Sequence, residues 1–123
     1  MSSPDPITAE TWEKKAHEQL RTAEILSQAH RWTDAFYHAG FAVECPLKCR
    51  IMRVQRLNQW PERGVLHTHD LTKLADFAGL TDALLAEIAS LSAMATAWQT
   101  AKDWNVGVRY DPGLFPCVAV PIW

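Results

Sequence analysis

Between residues 8 and 30, Trp12, Ala16, Leu20, Ala23 and Leu26 recur at steps of three and four, with Glu and Lys at many positions between them. That spacing gathers the apolar side chains on one face and predicts an amphipathic helix, with Thr8 as its N-cap. A broader stripe follows, formed by Phe36, Ala39, Val43, Leu47 and Ile51 and widened by Tyr37, Phe41, Cys45 and Met52. It predicts a central helix that touches more than one neighbour, capped by Thr33 or Asp34 and running to about Leu57. Pro46 lies inside it and has no N–H to donate to the Ala42 carbonyl. A kink is expected there, at a cost of about 3 kcal/mol that packing must offset.

Residues 58–69 hold Pro61 and Gly64 and read as a loop. A short helix is expected from Asp70 to Ala78, stopped by Gly79. Thr81 or Asp82 then caps a fourth helix reaching about Trp104, striped by Leu84, Ile88, Leu91, Ala95 and Trp98. No alternating run before residue 105 competes as a strand. The expected fold is all-α, an antiparallel up-and-down bundle of four to five helices. Residues 1–7 form a polar arm, 8–111 the bundle, and 112–123 an apolar tail. That tail carries three prolines and no charge. It must pack on the core, bury itself in a partner, or come from truncation.

Composition narrows the function classes. Hydrophobic residues make up 48% and charged residues 21%, which excludes a disordered chain. The net charge of −2 is at odds with a broadly basic nucleic-acid-binding surface and leaves room only for local patches. Three unpatterned Cys speak against a disulfide framework. No apolar stretch is long enough to cross a membrane, and the N-terminus lacks the basic start and apolar stretch of a signal peptide. A cytoplasmic protein without membrane association is expected.

Several constellations could carry chemistry. Glu44 and Lys48 stand four apart, in the favourable order for a helical ion pair that either fixes packing or faces a polar ligand. Cys45 and Cys49 share a face with Lys48 between them and His38 upstream; one helix alone makes a poor metal site, so buried thiols are expected. His67, His69 and Asp70 form the densest titratable cluster. With Arg63 nearby it could supply a phosphate-binding cation and a proton-transfer imidazole, or simply cap the third helix. Arg50, Arg53 and Arg56 make a basic ridge that reads first as a solvated face. Trp98, Trp104, Arg109 and Tyr110 cluster near the end of the last helix, suited to core packing or to base stacking. No phosphate-binding Gly loop, HExxH or GxSxG motif is present, and no metal or cofactor is expected.

Three segments taken together, DAFYHAGFAVECPLKCRIMR, HTHDLTKLADFAGL and the Trp-bearing stretch ending WNVGVRYDPG, resemble the HEPN domain family, in particular its small stand-alone bacterial members. The resemblance spans roughly residues 12–113. It implies a helical bundle that commonly forms a homodimer and works in RNA or nucleotide metabolism. Many members are metal-independent ribonucleases that act as toxins in toxin–antitoxin and defence systems, often paired with a small nucleotidyltransferase. Their activity uses an Arg followed closely by a His near the last helix. Here Arg109 is followed instead by Leu114, Phe115 and Pro116 where the His belongs. Arg63 and His69 meet the spacing, with five residues between them, but they precede the third helix.

The resemblance therefore implies a non-catalytic or weakly catalytic HEPN-like domain that binds nucleotide or RNA, or pairs with a nucleotidyltransferase-type partner protein. Arg109 would contact phosphate, Tyr110 would stack on or hydrogen-bond a base, and Glu44 with Lys48 would position the groove. One alternative is a metal-independent ribonuclease using Arg63 and His69. Another is a protein interaction module without nucleotide binding.

Overall fold

In a computed structural model the described residues are 5–89, 98, 101, 102 and 104. They are mostly helical, with no strand among them. Helix α1 spans Ala9–Gln28, α2 Trp32–Val54, α3 Leu71–Phe77 and α4 Thr81–Ala89. Arg109, Tyr110, the apolar tail and most of the stretch from residue 90 to Trp104 lie outside the described residues.

Thr8 caps α1 as its sequence suggests. Its hydroxyl accepts from the Thr11 backbone N–H at 3.3 Å, while the Thr11 hydroxyl accepts from Thr8 N–H at 3.0 Å. This reciprocal pair satisfies two N–H groups that the helix start leaves open. Trp12 and Ala23 are buried, and Ala16, Leu20 and Leu26 are half-buried beside them.

The junction between α1 and α2 is tighter than the side-chain caps imply. Helix α2 begins at Trp32, ahead of Thr33 and Asp34, with Arg31 at the N-cap and no side-chain cap bond. His30 takes the left-handed conformation at φ 61°, and the Arg31 N–H donates back to the Leu26 carbonyl at 2.8 Å. Those bonds close the end of α1 and turn the chain at once. Asp34 pairs with Arg31 at 2.7 Å instead of capping.

Among the described helices α2 packs against both α1 and α3. Ala35, Phe36, Ala39, Leu47, Ile51 and Met52 are buried along it, against α1 on one flank and α3 on another. Its helical conformation continues through Pro46, whose ring is exposed, and ends at Val54 rather than Leu57. Arg56, two residues after the helix end, adopts φ 55° and turns the chain out of the helix.

The segment from Leu57 to Asp70 has no regular structure but is not a loose connection. Trp60 and Leu66 are buried in the core, and the Trp60 N–H donates to the Ile7 carbonyl at 2.7 Å. The segment is thus held down by its own apolar side chains and by the start of the chain, as in a compact surface loop. Asp70 ends it and caps α3, accepting from the Thr72 and Lys73 N–H groups at 3.0 and 3.1 Å. Gly79 follows α3 at φ 74°, a left-handed value that glycine adopts without strain. Among the described residues no helix is long and apolar enough to cross a membrane.

Candidate functional site

The spacing of Glu44 and Lys48 puts them on one face of α2, and the fold turns that face inward. Lys48 Nζ donates to Glu44 Oε2 at 3.1 Å, and the two side chains are only 7% and 2% exposed. Two indoles surround the ammonium: Nζ lies 4.7 Å from the Trp12 ring centre and 5.4 Å from that of Trp60. Trp12 and Trp60 meet edge to face at 5.4 Å. Ring faces attract a desolvated cation, so α1 and the loop together compensate part of the hydration that Lys48 gives up.

Glu44 has a second partner. His69 Nδ1 lies 2.7 Å from Glu44 Oε1, and its side chain is 52% exposed. A carboxylate only accepts, so Nδ1–H is the donor and the neutral ring carries its lone pair on Nε2. The Phe41 ring stands edge-on to the imidazole at 5.9 Å, and Trp104 packs against Phe41 at 5.0 Å. The loop thus delivers a half-exposed histidine to a buried carboxylate whose two oxygens are both engaged. Such an imidazole is oriented and fixed in one tautomer, which suits it to accept a hydrogen bond or a proton from a ligand.

The other candidates are dispersed. Arg63 is exposed in the loop and makes no hydrogen bond or ion pair among the described residues. His67 bonds through Nε2 to the Pro61 carbonyl oxygen, which braces the loop. The basic ridge folds back on the protein: Arg50 Nε donates to the Ala78 carbonyl at 3.0 Å, and Arg53 pairs with Glu13 at 3.3 Å. Both arginines border an open groove of about 560 Å³ between α1 and α2, with Pro46 and Cys49 in its lining. The groove shares no residue with the Glu44 network. Among the described residues no group of three His, Cys, Asp or Glu side chains is arranged to hold a metal ion.

Cys45 and Cys49 are free and buried. Burial pushes the Cys45 thiol up to about 11, and the neighbouring Glu44 carboxylate adds to the rise. Burial raises the Cys49 thiol as well. The thiolate is the reacting form, so in the folded protein at pH 8 Cys45 should alkylate about a hundredfold more slowly than in the urea-unfolded chain. The linkage has a definite sign. The folded state holds this proton more tightly, so the contribution of Cys45 to stability is complete below the ordinary thiol value of 9.0 and is lost as pH rises towards 11. Equal alkylation rates in the two states would mean that the thiol is open to solvent.

No protein-family model, curated protein or solved structure matches this chain. Sequence reasoning paired Glu44 with Lys48 but did not connect His69 to them. It missed Trp12 and Trp60 as the walls around Lys48, because nothing in the spacing of a loop tryptophan reveals what it will cover.

Proposed function

We propose that this chain is a HEPN-like helical module, non-catalytic or weakly catalytic, that forms a homodimer and binds a nucleotide or RNA or pairs with a nucleotidyltransferase-type partner protein. The observation that supports it is the linked set Lys48–Glu44–His69. Burying an ion pair is costly, and apolar side chains of similar size hold a loop equally well. Trp60 and Leu66 already anchor this loop. A buried pair that also orients a half-exposed imidazole is better accounted for by a ligand than by stability. In this reading His69 contacts the ligand and Glu44 with Lys48 positions it. Arg109 and Tyr110 supply the phosphate contact and the stacking surface.

A second reading, a metal-independent ribonuclease, draws on the same imidazole. A histidine held by a carboxylate is equipped for general acid or base work, and Arg63 would stabilise the charged transition state. Incubating the protein with a labelled RNA pool in EDTA separates the two. The first reading expects retention of intact RNA, weakened about tenfold by His69→Ala or Arg109→Ala, the loss of one charge-assisted contact. Cleavage that disappears in the Arg63→Ala, His69→Ala double variant would establish the second. Neither binding nor cleavage would remove both and leave an interaction module.

A further inference from the structure

We infer that His69 is a phosphoryl-acceptor site, taking a phosphoryl group on Nε2 from a small acyl phosphate. Three observations carry it. Nδ1 is occupied by Glu44 Oε1 at 2.7 Å, so the lone pair of the neutral ring is on the opposite nitrogen. That nitrogen has no partner among the described residues, and the side chain is 52% exposed. Glu44 is almost wholly buried and is fixed from its other oxygen by Lys48, so the acceptor cannot swing away when the ring reacts.

The chemistry balances without an oxidant or a metal. The Nε2 lone pair attacks phosphorus, an N–P bond forms, and the P–O bond to the acyl group breaks. The carboxylate leaves with the electron pair of that bond. The ring becomes an imidazolium whose Nδ1–H stays in the hydrogen bond to Glu44, and the carboxylate offsets the new positive charge. A positioned carboxylate behind a reacting imidazole is the arrangement that stabilises this ion in acyl-transfer enzymes.

The chain carries its own controls. His17 and His30 are exposed, with no carboxylate behind the ring among the described residues. His38 Nδ1 faces the Gln19 amide oxygen at 2.7 Å, a neutral group in place of a charged one. Treating the folded protein with acetyl phosphate and mapping acid-labile, alkali-stable phosphate by peptide mass spectrometry should label His69 about tenfold or more faster than any of these. In denaturing urea the preference should vanish, because the dyad no longer exists. Glu44→Gln should bring the His69 rate down towards that of His17 and His30, provided circular dichroism shows the variant folded. If it does not fold, the comparison among histidines within the wild-type chain still decides. Labelling of His69 no faster than His17 or His30, or a preference that persists in urea, would overturn the inference. The outcome does not depend on RNA binding.

Discussion

Glu44→Ala is expected to destabilise the protein by about 3–5 kcal/mol, because it leaves the Lys48 ammonium buried with no anion beside it. Whole-domain stability is only about 5–15 kcal/mol, so this single change could remove much of the folded population. Two indole faces return only part of the loss, since a desolvated cation–π contact contributes about 2 kcal/mol. The companion experiment removes both charges. Glu44→Leu combined with Lys48→Met should recover most of the stability while still freeing His69, because an apolar pair of similar volume needs no hydration. Urea denaturation followed by circular dichroism measures both. A loss below about 1 kcal/mol for Glu44→Ala would place Lys48 at the surface, where ion pairs contribute little.

Gly40→Ala is the second large effect, and its sign runs against helix propensity. In an exposed helix the change would gain about 1 kcal/mol. Here a Cβ at position 40 would fall 1.9 Å from Trp104 Cε2 and 2.1 Å from Cδ2 and Nε1. The indole cannot easily retreat: it is buried, and the Tyr37 and Phe41 rings pack on it. Overpacking of this kind costs about 1–3 kcal/mol, so the clash outweighs the propensity gain. Thermal unfolding should show a fall in Tm of several degrees. A rise would mean that Trp104 does not rest on Gly40.

Much of the fold was legible because its elements are governed by local rules. The apolar period of α1, the Thr8 cap, the Asp70 cap and the Gly79 stop each depend on residues within a turn or two. The start of α2 was not legible in the same way. It is set by His30 in a left-handed conformation and by backbone bonds to α1, neither of which leaves a side-chain signature. The same divide runs through the site. Glu44 and Lys48 could be paired from their spacing alone. His69 joins them across twenty-five positions, brought there by a loop whose Trp60 and Leu66 are buried and by the packing of α3, which starts two residues later. A contact made by an irregular segment has no period to betray it.

The bond from the Trp60 N–H to the Ile7 carbonyl gives the N-terminal arm leverage over the loop that carries His69. Displacing Ile7 would strip an acceptor from the backbone at the very residue whose indole walls Lys48. Free-energy coupling is reciprocal, so occupancy at His69 that firms the loop must also tighten the arm by the same amount. A fluorophore on the arm would then sense events at the imidazole without touching it, and a bulky fusion placed close to Ile7 would handicap the site it was meant to leave alone.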